Sequence, residues 1–207
     1  MSVYALPDLP YDYAALEPYL SGEIMEPAPR QAPPGLCHRH QHRRRAGSPR
    51  RARRSPSGAC PRWRRTSPST SAGTSTTRCS GRTCRRTAVT SPPGSLAAAI
   101  DEFFGGFDAF RAHFQANALG VQGSGWSVLT WDTLAQRPYI IQHFDHQGNV
   151  PICMTPLLML DMWEHTYYLQ YRNDKATFVQ QWWNVVNWAD VQRRFEAARA
   201  QTPGLIG

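Results

Sequence analysis

Residues 156–168, with the sequence PLLMLDMWEHTYY, are the most informative part of the chain, because a predicted buried strand ends there beside an Asp and a His, two residue types that bind metals. The apolar run PLLMLD predicts a short buried strand. Asp161 closes that strand and His165 lies on the turn beyond it, so both side chains can point at one ion. A carboxylate oxygen with an imidazole nitrogen and no thiolate suits manganese, iron or zinc. Two such residues alone are more often a structural hydrogen-bonded pair than ligands, so both interpretations stand at this point.

The segments upstream of this stretch predict two more strands. GSGWSVLTWD (123–132) alternates apolar and polar residues, and RPYIIQHFD (137–145) follows after a turn. A helical pair precedes them: Ser95 is the expected N-cap of LAAAIDEFF, and a second helix, FDAFRAHFQANAL, ends at Gly120.

The tail returns to helical patterning, with EHTYYLQYRN (164–173) and FVQQWWNVVNWADVQRRFEAARA (178–200). The order of elements therefore predicts an α+β fold. It consists of an N-terminal helical part and a small C-terminal antiparallel three-stranded sheet packed with helices.

The segment 27–95 has a different composition from the rest of the chain. It contains 16 Arg, ten Pro, no Lys and no acid, for a charge of +16, whereas the remaining residues carry −8. Leu36 and Val89 are its only large aliphatic residues and Trp63 is its only aromatic one. Such a segment cannot bury enough apolar surface to offset the entropy of ordering, so we expect residues 27–95 to be disordered.

Two function classes are excluded or disfavoured by the overall pattern. No window of about 18 apolar residues exists, which excludes a helix that spans a membrane. The amino terminus, MSVYALPDLPYDY, has no basic stretch leading into an apolar core, so we expect neither a secretory signal nor a transit peptide. We accordingly expect a cytoplasmic location.

Several motifs in a fixed order resemble the iron/manganese superoxide dismutase family. DMWEHTYY is similar to its signature, and the chain carries further family-like stretches on both sides of segment 27–95. These are YALPDLPYDYAALEPYLSGEIME, LAAAIDEFFGGFDAFRAHF, GVQGSGWSVLTWD, FDHQGNVP, PLLMLDMWEHTYYLQYRN and WWNVVNW. The resemblance implies disproportionation of superoxide to oxygen and hydrogen peroxide at one Mn or Fe ion per subunit.

The resemblance also implies a division of the chain. Residues 1–26 would begin an N-terminal helical hairpin domain, residues 96–120 would supply its remaining helices, and residues 121–207 would form a C-terminal α/β metal-binding domain.

Functional residues carry over from the family position by position. The family holds its metal with three His, one Asp and a solvent molecule, and Asp161 and His165 match two of these ligands. Either His146 or Gln147 is implied to reach the bound solvent, and one sequence does not decide which. The remaining matches are two aromatic wall residues and two residues of a homodimer or homotetramer interface: Trp126, Trp163, Glu164 and Tyr168.

The other two family histidines have no counterpart, and segment 27–95 occupies their place. Back-translation indicates a displaced reading frame there: residues 27–44, read from the second base, give LHHDKHHRAYVTGTNTA. Residues 66–86, read from the third base, give LAFNLGGHVNHSVFWKNLSP. Three single-base insertions, near codons 26, 45 and 95, would account for the two changes of phase and for the return to frame at Leu96. We therefore expect the chain with this sequence to have impaired activity.

Other interpretations of segment 27–95 are weaker. Its arginines would bind RNA or DNA nonspecifically, with an affinity that falls as salt rises, which suggests a nucleic-acid-binding segment fused to a non-catalytic dismutase-like domain. Neither a platform of aromatics for stacking nor a recognisable helix for a groove supports this alternative. The run His38-Arg-His40-Gln-His42 and four cysteines raise the idea of a zinc site, but no CxxC pair occurs.

Overall fold

A three-stranded antiparallel sheet forms the centre of the fold, as predicted. Its strands are β1 (Gly125–Asp132), β2 (Arg137–Phe144) and β3 (Met154–Asp161), in the order β2-β1-β3. Because β1 is antiparallel to both neighbours, β2 and β3 run parallel to each other. Their carboxyl ends therefore lie at one edge of the sheet, beside the start of β1.

The computed structural model describes residues 11–25, 84, 91–146 and 148–201. The helices in these ranges are α1 (Gly22–Met25), α2 (Gly94–Phe104), α3 (Phe107–Leu119), α4 (Tyr168–Tyr171), α5 (Lys175–Trp182) and α6 (Trp188–Arg199). Short 3-10 helices cover Tyr13–Leu16, Glu164–Thr166 and Trp183–Val185. Helices around an antiparallel sheet confirm the α+β class.

The helical pair α2 and α3 differs from the prediction at its beginning. Pro93, not Ser95, occupies the N-cap position of α2. The hydroxyl of Ser95 instead accepts a hydrogen bond from Nε2 of Gln192 at 2.8 Å, and Oε1 of Gln192 accepts one from the Leu96 N–H at 3.0 Å. The Gln192 side chain of α6 thus accepts a backbone N–H from the first turn of α2. The predicted break between α2 and α3 is confirmed at Gly105, which has a φ of 80°.

Both long helices predicted in the tail are interrupted. Residues 164–173 form a 3-10 helix followed by the single turn α4, and residues 178–200 divide into α5, a 3-10 helix and α6. The second interruption has a local cause: the side chain of Asn187 accepts the N–H of Asp190 and caps α6. Helical periodicity alone does not reveal a cap inside an apolar run.

The helices cover one face of the sheet. Ser127 Oγ of β1 donates to Asn117 Oδ1 of α3 at 2.7 Å, and Trp131 packs edge-on against Phe195 of α6 with ring centroids 5.1 Å apart. The opposite face carries a small separate cluster of buried residues, Trp126, Val128 and Met159. Trp126 joins this cluster to the sheet edge at which β2 and β3 end.

The N-terminal piece is fastened to the C-terminal part of the chain. Gln170 donates from Nε2 to the Pro18 carbonyl at 2.9 Å and accepts the Ser21 N–H at 2.9 Å. The hydroxyl of Tyr171 donates to the Tyr19 carbonyl at 2.6 Å. Residues of α4 thus hold a segment about 150 positions away, which places both flanks of segment 27–95 in one fold.

Segment 27–95 falls mostly outside the described residues, and so does its predicted disorder. Residues 84 and 91–95 are exceptions: Cys84 is 7 % exposed and forms an isolated antiparallel bridge with Val186, and Gly94 and Ser95 belong to α2. Cys153, which directly precedes β3, is only partly buried. None of the helices within the described ranges has the length and apolar character needed to cross a membrane.

Candidate metal centre

Asp161 and His165 come together at the carboxyl end of β3. Oδ2 of Asp161 and Nε2 of His165 lie 3.6 Å apart, longer than a direct hydrogen bond and short enough for both atoms to face one ion. Side-chain exposure is 15 % for Asp161 and 49 % for His165. The carboxylate is therefore fixed inside the fold, whereas the imidazole is half open.

The turn after Asp161 is held by its own hydrogen bonds. Oδ1 of Asp161 accepts the Trp163 N–H at 2.9 Å, which leaves Oδ2 free to face His165. The Thr166 hydroxyl lies 2.7 Å from the Trp163 carbonyl oxygen and 3.1 Å from that of Asp161. These contacts close the 3-10 turn that carries His165 back over Asp161.

His146 enters the same site from the turn after β2. Its ring stacks on Trp163, with centroids 4.8 Å apart and an interplanar angle of 19°, and lies 6.1 Å from the Trp126 ring. Trp163 in turn contacts the His165 ring at 5.9 Å. The structure thus brings together Trp126, His146, Trp163 and the pair formed by Asp161 and His165.

The electrostatics of the site follow from burial. Removal from water raises the pKa of Asp161, and the nearby His165 and the Trp163 N–H oppose that rise. The Asp161 side chain raises the pKa of His165 against the effect of burial. Burial lowers the pKa of His146, which keeps its imidazole neutral near pH 7.

The residues around Asp161 fit part of a metal centre. Nδ1 of His146 and Nε1 of Trp163 are buried polar atoms without a hydrogen-bond partner in the described structure. Such atoms suit a site that receives a further polar group. Within the described ranges, however, no group of three or more His, Cys, Asp or Glu side chains could hold a metal ion. The described residues thus bring together two candidate ligands and do not complete a metal centre.

The remaining predicted site residues lie at its margin. Glu164 and Tyr168 are exposed, and the exposed fraction of Tyr168 is 49 %. In the described structure, no hydrogen bond, ion pair or ring contact joins either side chain to Asp161 or His165. Gln147, the alternative to His146, lies outside the described residues.

Two residues near the site escape sequence reasoning. His143, paired across the sheet with Trp126, is 8 % exposed and its Nε2 has no partner in the described structure. Asp145 adopts a φ of 49° and accepts a hydrogen bond from the Trp126 indole. The alternation of β2 could have placed His143 on the same face as Ile141, but the contact of Asp145 depends on tertiary structure alone.

Comparison with known proteins gives a consistent family. The family model of the iron/manganese superoxide dismutases, C-terminal domain, matches residues 92–194. That range contains β1 to β3 and every described residue of the candidate centre.

Similar proteins extend the match over the whole chain. A superoxide dismutase [Mn/Fe] of Propionibacterium freudenreichii subsp. shermanii is 44 % identical over 96 % of this chain and 99 % of its own length. A superoxide dismutase [Fe] of Mycobacterium tuberculosis (strain CDC 1551 / Oshkosh) is 43 % identical over 100 % of this chain and 99 % of its own. A superoxide dismutase [Mn] of Mycobacterium lepraemurium is 60 % identical over 56 % of each chain.

Proposed function

Because the chain belongs to the iron/manganese superoxide dismutase family, we propose that Asp161 and His165 are two ligands of its Mn or Fe ion. The family function is superoxide dismutase, an oxidoreductase activity that disproportionates superoxide at such an ion. The observation that carries the assignment is the 3.6 Å separation of Oδ2 of Asp161 and Nε2 of His165. When bound, the ion supplies the redox chemistry, and the protein fixes its ligands and surroundings.

His146 is the residue that reaches the metal-bound solvent in this proposal, with Trp126 and Trp163 as the aromatic wall. The unpartnered Nδ1 of His146 supports this role, since a buried ring nitrogen without a partner can accept or donate a hydrogen bond to a group that enters the site. Its lowered pKa also supports it, because a neutral imidazole adds no positive charge beside a cation. Gln147 remains the alternative residue for the same role.

The chain with this sequence is impaired because the other two histidine ligands are lost in a displaced reading frame. Hidden codons for them straddle Ala28/Pro29 and Thr76/Thr77, and neither pair can supply an imidazole. The identities to two different relatives are in line with this proposal. Identity is 60 % over 56 % of the chain in one comparison and 43 % over the full length in another. A displaced frame lowers identity in one segment and leaves its flanks unchanged.

A homodimer or homotetramer, acting as a cytoplasmic antioxidant enzyme, completes the proposal. Glu164 and Tyr168 are its interface residues, and their exposure in the single chain leaves both side chains available to a second copy. Sedimentation velocity tests this part. Glu164→Ala and Tyr168→Ala should lower the association state of the frame-restored chain, whereas Glu102→Ala, an exposed change on α2, should not.

The ligand assignment is tested in a gene from which the three inferred insertions have been removed. Asp161→Asn in this background should abolish bound Mn or Fe, measured by elemental analysis, because an amide does not supply the anionic oxygen. Asp132→Asn is the matched control, because Asp132 ends β1 at the other edge of the sheet. Equal metal content in the two variants would refute the role of Asp161.

A further inference from the structure

Asp145, next to His146 in the chain, is held by the start of β1 at both of its backbone groups. Its carbonyl oxygen accepts the Trp126 indole N–H at 3.0 Å, and its N–H donates to the Ser124 carbonyl at 2.9 Å. Trp126 is 2 % exposed, so the first of these bonds is shielded from water. A shielded hydrogen bond competes little with solvent and holds its geometry well.

The backbone at Asp145 needs such support. Its φ of 49° lies in the left-handed region, which a residue other than glycine occupies at an energetic cost. The turn is also closed by two bonds between Phe144 and Gly148, in which the Phe144 N–H donates at 3.0 Å and the Gly148 N–H at 2.8 Å. The Phe144–Gly148 pair closes the base of the turn, and the bonds to Asp145 fix how the turn leans toward the aromatic residues.

The direction of the turn decides where the His146 ring lies. His146 stacks on Trp163 of the segment after β3, whereas its own backbone belongs to the turn after β2. No described hydrogen bond fixes Nδ1 of His146. The ring therefore depends on stacking and on the backbone of the preceding residue for its orientation.

We propose that Trp126 is a positioning residue whose indole N–H, through the Asp145 carbonyl, holds the His146 ring stacked on Trp163. This inference rests on the role proposed above for His146 and assigns Trp126 a second task beyond that of an aromatic wall. A wall residue needs only the ring, whereas a positioning residue needs the indole N–H. The two roles can therefore be separated by a substitution that keeps an aromatic ring and removes the donor.

The chain provides a matched control on the same strand. Trp131 also lies in β1 and is 3 % exposed, but its Nε1 has no hydrogen-bond partner in the described structure. Trp126→Phe and Trp131→Phe thus remove the same atoms from similarly buried positions, and only the first removes a hydrogen bond to the turn.

The test uses the proton NMR spectrum of the unmodified chain and of these two variants, without added metal. Stacking on an indole face shifts the carbon-bound ring protons of His146 upfield, and a His146→Gln variant assigns those signals. Trp126→Phe should lose the upfield shift, and Trp131→Phe should keep it. An upfield shift retained in Trp126→Phe would overturn the proposal. Since the signal requires neither metal nor turnover, its outcome is distinct from failure of the proposed function.

A second measurement covers the case in which Trp126→Phe does not fold. In the unmodified chain, the indole N–H of Trp126 should exchange with deuterium more slowly than that of Trp131, because only the former is hydrogen-bonded. Equal exchange rates of the two indoles would contradict the bond on which the proposal depends.

Discussion

Oδ2 of Asp161 faces Nε2 of His165 at 3.6 Å, while Oδ1 of the same carboxylate accepts the backbone N–H of Trp163. One oxygen is thus committed to the turn and the other is directed at the second donor. The fold consequently sets the distance between the two proposed ligands with bonds that need no ion. The cost is a buried carboxylate without a full complement of partners.

That cost predicts an unusual stabilising substitution. Burial raises the pKa of Asp161, so its ionised form is less favourable in the folded than in the unfolded chain. Stability is therefore lost as pH rises from the pKa of Asp161 in the unfolded chain to its higher pKa in the folded chain. Asp161→Asn removes the charge and retains an oxygen for the Trp163 N–H. In metal-free protein at pH 7, this substitution should raise the urea concentration at the midpoint of unfolding, as monitored by circular dichroism.

Asp174→Asn should change stability in the opposite direction. Asp174 caps α5, and the Thr177 N–H lowers the pKa of its carboxyl, so its ionised form favours the folded chain. This substitution should slightly lower the midpoint. A fall in the midpoint with both substitutions would show that the Asp161 charge does not destabilise the metal-free fold.

Cys84 predicts a loss of stability at alkaline pH. Burial raises the pKa of its thiol to about 12, from 9.0 in the unfolded reference. Between these values the unfolded chain releases a proton that the folded chain retains, so stability falls as pH rises, by about 1.4 kcal/mol per pH unit for one such group. The free energy of unfolding, measured in urea from pH 8 to pH 11, should show this slope. Cys84→Ala should flatten it.

Cys153→Ala is the control for the thiol experiment, since Cys153 is only partly buried. Partly buried tyrosines with a raised pKa, such as Tyr171, contribute to the alkaline slope in every variant and cancel in the comparison. If Cys84→Ala leaves the slope unchanged, Cys84 is not buried as described.

Gly125 predicts a steric limit at the edge of the sheet that carries the site. A Cβ at this position would lie 2.5 Å from the His143 carbonyl oxygen and 2.9 Å from Cγ1 of Val121. Gly125→Ala should therefore cost about 1–3 kcal/mol of stability, because backbone must move. Gly22→Ala, whose nearest neighbour would be 3.5 Å away, should be neutral or slightly stabilising. Thermal unfolding of the two variants distinguishes these outcomes, and equal losses would contradict the close approach.

The sequence predicts the sheet because its signal is local. Alternation in 123–132, the turn before 137 and the apolar run before Asp161 each lie within one element, and all three strands occur where expected. The same patterns do not predict Gln192 at the start of α2, which depends on a residue about 100 positions away. Nor do they predict the break before Asn187, where a cap interrupts an apolar run.

The candidate site likewise contains residues that local sequence predicts and residues that only tertiary structure brings together. Asp161 and His165 are close in sequence, and their residue types fit either a metal site or a structural hydrogen-bonded pair, between which only the family resemblance decides. The place of His146 depends on the parallel arrangement of β2 and β3, and its role became an expectation only through the family resemblance. The anchoring of Asp145 by Trp126 has no sequence signal, because a backbone carbonyl accepts from any donor that the fold brings near.

Metal content of two purified chains tests the central claim most directly: one with this sequence and one with the three inferred insertions removed. Both are grown with manganese and iron and analysed for bound metal and for superoxide turnover. The restored chain should bind about one ion per subunit and show full turnover. The chain with this sequence, which keeps Asp161 and His165 alone, should bind metal far below one ion per chain and show no appreciable turnover. Stoichiometric metal and normal turnover in that chain would show that the two missing histidines are not required.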